Sequence, residues 1–137
     1  MPIAWDEEKM AIGISDLDMQ HRKLIEMLAK AQEMAKRGAV VELYPLVTDL
    51  LECSERHFVF EERLMQEQNY SRAQEHRVQH GEFKDAIWDT YQDFRNQSDS
   101  ENPQVLENFI LQLEDWFINH IQVEDRKFAL ELFRKLS

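Results

Sequence analysis

The sequence contains five histidines, and each falls on the apolar face that periodicity predicts for its helix: His21, His57, His76, His80 and His120. A single imidazole on such a face is usually a core residue with a hydrogen-bond partner. Five imidazoles in one core would cost several kcal/mol if they lacked partners. Neutral imidazole is a common metal ligand, so a bound metal is the interpretation that satisfies all five rings. A metal-free bundle with core histidines is the alternative.

Two four-residue spacings support a metal site. His57 and Glu61 project from one face of their helix, and Glu61 lies on its buried side, where a carboxylate needs a cation. His76 and His80 repeat the spacing, which directs two imidazoles to one metal ion.

The fourth helix poses a conflict over its carboxylate. Asp125 follows His120 by five positions, which on a regular helix turns it about 140° away from the histidine. Periodicity alone would choose Glu124 as the ligand. For Asp125 to join the site, the helix must loosen into a π-bulge or bend there.

The number of ligands bears on the metal. Zinc sites need three or four protein ligands, so five histidines with added carboxylates suggest two metals bridged by carboxylates. The Glu-x-x-His pairs of ferritin-like di-iron bundles are absent, since Ser54, Ala73, Arg77 and Phe117 precede the four later histidines by three positions. Cys53 lies one turn before His57, and we interpret it as a small buried side chain rather than a ligand.

Four long helices must position these residues. Apolar periodicity predicts a first helix over about 18–37, ended by Gly38, and a second between Pro45, in its first turn, and Asn69. The third opens at a capping box of Ser71 and Gln74 and ends near residue 96, and the fourth opens at the pair Asn102 and Pro103. Short connections favour an all-α, up-down-up-down four-helix bundle with an extended N-terminal arm over 1–17 and a short C-terminal helical extension.

Composition bounds the function classes. The chain of 137 residues is expected to be one domain over 1–137, and its net charge of −11 disfavours nucleic acid and anionic membranes as partners. A single cysteine excludes an internal disulfide, and neither a signal peptide nor an apolar run long enough for a membrane span is evident. We therefore expect a cytoplasmic protein.

Four segments together resemble bacterial hemerythrins, the oxygen-binding non-haem di-iron family: DLDMQH at 16–21, HFVFEE at 57–62, HRVQHGEF at 76–83 and HIQVED at 120–125. Residue type and spacing match at all seven family ligand positions, across essentially the whole chain. The resemblance implies that His76, His80 and His120 bind one iron ion and that His21 and His57 bind the other. It further implies that Glu61, Asp125 and a solvent-derived oxo or hydroxo group bridge the two irons, which decides for Asp125 over Glu124.

The same resemblance implies reversible binding of dioxygen without catalysis. These ligands would leave one coordination position open, on the iron with two histidines. By position, five residues are similar to the apolar wall of the family's oxygen pocket, although core packing would explain them equally well: Leu24, Phe58, Trp116, Phe117 and Ile121. Oxygen storage, delivery or buffering is the predicted role, and an oxygen- or redox-sensing module or a di-iron enzyme reducing peroxide or nitric oxide are the alternatives.

Overall fold

The computed structural model describes residues 3–96 and 103–136, and their regular secondary structure is helical. In chain order the elements are α1 (Glu7–Met10), α2 (Ser15–Arg37), α3 (Val40–Glu67), α4 (Ala73–Asn96), α5 (Pro103–Asn119), a π-helical segment (His120–Asp125) and α6 (Arg126–Leu136). Helix α2 packs against α3 and α5, and α3 packs against α4. The four long helices form the predicted up-down-up-down bundle, extended at its C-terminal end by α6. Among the helices of the two described ranges, none is long and apolar enough to cross a bilayer.

The N-terminal arm is less extended than predicted. It contains the single turn of α1, and α2 begins at Ser15 rather than at 18. The Arg126 guanidinium donates to the carbonyl oxygens of Lys9, at 2.6 Å, and Ala11, at 3.3 Å. Both oxygens of the Asp18 carboxylate accept backbone N–H groups of the loop that follows α1. These bonds hold the arm against the helices that carry the histidines.

The connection between α2 and α3 shows one confirmed prediction and one error. Gly38 ends α2 in the left-handed conformation, with a φ of 72°, which glycine adopts without a steric penalty. Helix α3, however, begins at Val40, so Pro45 lies inside it and not in its first turn. Pro45 lacks the N–H that would bond the carbonyl of Val41. Val41 is itself exposed.

The starts of the next two helices have different outcomes. Helix α4 begins at Ala73, and Ser71 is engaged by Glu131 of α6, which accepts bonds from both its hydroxyl and its backbone N–H. The Ser71 hydroxyl, which the sequence predicts as part of a capping box, therefore bonds to a side chain of α6. Helix α5 begins at Pro103, as predicted, and the proposed cap Asn102 lies outside the described residues.

The core consists of two apolar clusters. The larger cluster fills the bundle between α2, α3, α4 and α5, and includes Leu28, Leu50, Phe83 and Leu113. The smaller one joins the arm to α6 through Leu17, Met65, Tyr70 and Phe128. The buried polar side chains include all five histidines together with Glu61 and Asp125.

Candidate metal centre

All seven predicted ligands converge on one buried site. Helix α2 contributes His21, α3 contributes His57 and Glu61, α4 contributes His76 and His80, and the π-helical segment contributes His120 and Asp125. Their ligand atoms form two groups that share both carboxylates. We call His76, His80 and His120 the three-histidine group, and His21 and His57 the two-histidine group.

The Glu61 carboxylate lies between these groups, with one oxygen toward each. Its Oε2 atom is 3.1 Å from His57 Nε2 and 3.5 Å from His21 Nε2. Its Oε1 atom is 2.6 Å from His76 Nε2 and 3.2 Å from His80 Nε2. A carboxylate in this orientation has the geometry needed to bridge two cations.

Asp125 repeats the arrangement from the other side of the site. Its Oδ2 atom is 3.0 Å from Nε2 of His21, in the two-histidine group. Its Oδ1 atom is 2.9 Å from Nε2 of His76 and 3.2 Å from that of His120. The two carboxylates therefore divide their oxygens between the same two groups of histidines.

The π-helical segment brings Asp125 into the site. The wider turn over His120–Asp125 allows both His120 and Asp125 to face the interior despite their five-residue separation. Glu124, which regular periodicity favours, belongs to neither group of ligand atoms, and its carboxylate lies 3.4 Å from Lys127 Nζ in an ion pair. The helix thus loosens where the participation of Asp125 requires it.

Unsatisfied polar atoms indicate what this site is suited to bind. Four buried ligand atoms have no hydrogen bond despite their short contacts: His21 Nε2, Glu61 Oε2, Asp125 Oδ1 and Asp125 Oδ2. In addition, Nε2 of His80 and Nε2 of His120 face each other at 2.9 Å. Inward-facing lone pairs without donors are costly when buried, and cations would satisfy them. The donor set of imidazoles and carboxylates fits a pair of iron ions.

The charges of the cluster support this interpretation. Burial lowers the pKa of His21 and of His120, but Asp125 and Glu61 outweigh burial and raise these pKa values to about 9 and about 10. Burial raises the pKa of Glu61, yet the histidines, His57 foremost, hold that pKa well below its usual range. Burial lowers the pKa of His80, and its two histidine neighbours add to the effect. Without metal, the carboxylates thus draw protons onto the cluster, and metal cations would replace those protons.

Two histidines also hold partners through their outer nitrogens. Nδ1 of His57 lies 2.6 Å from the side-chain oxygen of Gln20, and Nδ1 of His80 lies 3.3 Å from a carboxylate oxygen of Glu62. An N–H at Nδ1 donates to these acceptors and leaves the Nε2 lone pair directed at the site. Gln20 and Glu62 were not identified from the sequence, because both lie on faces whose pattern is that of ordinary polar surface.

The five predicted wall residues lie in or beside the core around this cluster. Phe58 stacks on His80 with ring centroids 4.0 Å apart, and Trp116 stacks on His120 at 4.4 Å. Leu24, Phe117 and Ile121 are fully buried in the larger apolar cluster. Cys53 belongs to neither ligand group and instead lines a surface cavity of about 270 Å³ beside His57.

Known proteins are similar to this chain in sequence and in fold. Residues 12–132 match the family model described as "Hemerythrin HHE cation binding domain". The chain is 30% identical to a bacteriohemerythrin of Stenotrophomonas maltophilia, over 93% of this chain and 79% of that protein, and 27% identical to a myohemerythrin of Riftia pachyptila, over 93% and 91%. A crystal structure of a hemerythrin point mutant superimposes with a TM-score of 0.85 at 23% identity, covering 96% of this chain and 98% of the other.

Proposed function

The chain belongs to the hemerythrin family, and on that premise we propose that it binds dioxygen reversibly at two iron ions, for oxygen storage, delivery or buffering. The observation that carries the proposal is the division of the Glu61 and Asp125 oxygens between two groups of histidines. Two ferrous ions held there would supply the electrons that reversible oxygen binding transfers to the ligand. A solvent-derived oxo or hydroxo group is the third bridge that we propose.

Each ligand has a defined part in this proposal. The three-histidine group would hold one iron ion, the two-histidine group would hold the other, and Glu61 and Asp125 would each offer one oxygen to either ion. The neutral imidazoles limit the negative charge of the buried site to that of the two carboxylates, which two divalent ions more than balance. Because the two-histidine group supplies one imidazole fewer, it would leave room for dioxygen on the ion that it holds.

The apolar wall limits the access of water to the cluster as a whole. Phe58 and Trp116 cover imidazole faces of the three-histidine group, while Leu24, Phe117 and Ile121 fill the core around the site. A dry pocket disfavours proton delivery to bound oxygen and therefore slows its irreversible loss. Binding without turnover, rather than an enzymatic role, is what we propose.

Iron content and visible absorption test the oxygen-binding proposal. We expect two irons per chain after anaerobic reduction and reloading, and an absorption band that appears with oxygen and disappears when oxygen is removed. Zinc in the freshly purified protein, or iron that oxidises without a reversible band, would contradict oxygen carriage. Steady consumption of peroxide or nitric oxide would instead support an enzyme.

Two neighbouring substitutions test the ligand set. Asp125→Asn removes a carboxylate charge from the centre and should lower the bound iron below two per chain. Glu124→Gln removes a charge from the adjacent surface position and should leave both irons in place. If the two variants retain equal amounts of iron, Asp125 is not the bridging ligand.

A sensing role is the second candidate. Helix α6 continues directly from the segment that carries His120 and Asp125, and it exposes Leu130 and Leu136 to solvent. A shift of these ligands on oxidation would therefore reach an apolar surface suited to a partner. Hydrogen exchange of α6 in the reduced and oxygenated protein tests this role, because an oxygen carrier predicts no difference there.

A further inference from the structure

The two groups of histidines differ in the charge that contacts them from outside. In the two-histidine group, the acceptor beside Nδ1 of His57 is the neutral amide of Gln20. In the three-histidine group, the acceptor beside Nδ1 of His80 is the carboxylate of Glu62. The bridging carboxylates Glu61 and Asp125 contact both groups and so do not distinguish them.

The position of Glu62 is fixed by contacts on both sides. One carboxylate oxygen lies 3.3 Å from Nδ1 of His80, and the other lies 3.3 Å from the Nε atom of Arg77. Arg77 precedes His80 by three positions in α4. The Glu62 side chain is only 22% exposed, so water screens its charge less than it would at an open surface. Arg77 thus orients a charged acceptor toward a proposed metal ligand.

A carboxylate and an amide affect a metal-bound imidazole differently. An acceptor at the outer N–H fixes the ring orientation and raises the basicity of the inner nitrogen. The His57–Gln20 contact is the shorter one, at 2.6 Å against 3.3 Å for His80–Glu62, but only Glu62 carries a charge. Its negative charge raises the basicity of the His80 imidazole through space as well as through the hydrogen bond.

We propose that Glu62 and Gln20 make the two metal positions electronically unequal, with Glu62 as a positioning residue that favours higher charge on the metal of the three-histidine group. This inference rests on the proposed di-iron function. The metal of the three-histidine group would then be the easier one to oxidise. The metal of the two-histidine group would have the weaker donor set and would release its ligand more readily.

Reciprocal substitutions test this inference. Glu62→Gln makes the three-histidine side neutral, and Gln20→Glu adds a charge to the other side. Glu75→Gln is the matched control, because Glu75 is a carboxylate of α4 that lies at the surface in an ion pair with Arg72. Iron content and circular dichroism of each variant establish that it is folded and loaded.

Two measurements report on the inference independently of oxygen binding. In zinc-loaded protein, NMR should show the Nδ1–H proton of His80 shifted upfield by Glu62→Gln, and that of His57 shifted downfield by Gln20→Glu. In iron-loaded protein, Glu62→Gln should raise the midpoint potential and Gln20→Glu should lower it. A tenfold change in a one-electron redox equilibrium corresponds to about 59 mV.

The outcomes separate this inference from the proposed function. If the wild-type protein fails to bind two metals, the di-iron proposal itself is wrong. If it binds two metals and Glu62→Gln matches Glu75→Gln in both NMR shift and potential, only the inference is overturned. A lower potential in Glu62→Gln, or an unchanged one in Gln20→Glu, would also overturn it.

Discussion

Removing the metals should make the stability of the protein fall as pH rises from about 6.5 to about 9. In the metal-free cluster the pKa of His21 is raised from 6.5 to about 9, because Asp125 and Glu61 outweigh the effect of burial. A raised pKa in the folded state stabilises the protein fully below the unfolded pKa, and that stabilisation is lost as pH rises through the folded pKa. Protonated His21 and His120 neutralise the two carboxylates at low pH, and deprotonation leaves those charges buried without compensation.

The size of this effect follows from the pKa values. A rise from 6.5 to about 9 for His21 corresponds to about 3 kcal/mol of stability lost across the range. The pKa of His120 is raised to about 10 by the same two carboxylates, so its contribution overlaps with that of His21 and does not simply add to it. A loss of about 3 kcal/mol is a large part of the stability of a domain of this size.

Urea unfolding followed by circular dichroism measures this loss. Chelated protein should lose stability steadily over this pH range, whereas metal-loaded protein should not, because metal ions replace the protons and bind more tightly as the ligands deprotonate. His21→Gln removes one titrating group and should flatten the dependence in the metal-free protein. Equal pH dependence with and without metal, or metal-free protein that is more stable at pH 9, would refute the reasoning.

Three further substitutions test the packing and the wall. Leu28 is fully buried in the larger cluster, and replacing such a leucine by alanine usually costs about 2–5 kcal/mol. Leu28→Ala should therefore lower the free energy of unfolding by about 3 kcal/mol in urea titrations. A loss below about 1 kcal/mol would contradict tight packing at this position. Gly38→Ala should lower the free energy of unfolding by about 1 kcal/mol in the same assay, because Gly38 has a positive φ. Ala39→Gly is the control at the neighbouring position. Phe58→Ala removes a ring that stacks on His80 and lies 5.8 Å from the ring of His57, and it should speed the loss of the oxygen-dependent absorbance, whereas Phe58→Leu should do so less. Equal rates for both Phe58 variants and the wild type would argue against its role in excluding water.

Much of the bundle was predictable because its signals are local. Apolar periodicity located the four long helices, and Gly38 marked the end of α2, since a left-handed residue is needed there. The errors lie at helix starts. Pro45 lies inside α3 despite its missing N–H, and Ser71 bonds Glu131 because α6 lies beside it. Neither fact is visible in the residues adjacent to those positions.

The candidate site shows the same division. Residue type and helical spacing sufficed to select the histidines and Glu61, because their apolar faces must point into the bundle. Asp125 was selected by family resemblance against regular periodicity, and the π-helical segment supplies the physical reason. Periodicity assumes a uniform turn, so it cannot locate a local loosening of the helix.

The sequence by itself determined that the helices would bring five imidazoles and a carboxylate into one interior, because side-chain direction along a helix follows from spacing alone. Only the tertiary structure decided how that interior is divided. The oxygens of Glu61 and Asp125 separate into two groups because four helices meet at particular heights and rotations. Gln20 and Glu62 become partners of His57 and His80 for the same reason, since each reaches across to a neighbouring helix, and such contacts are set by packing rather than by spacing.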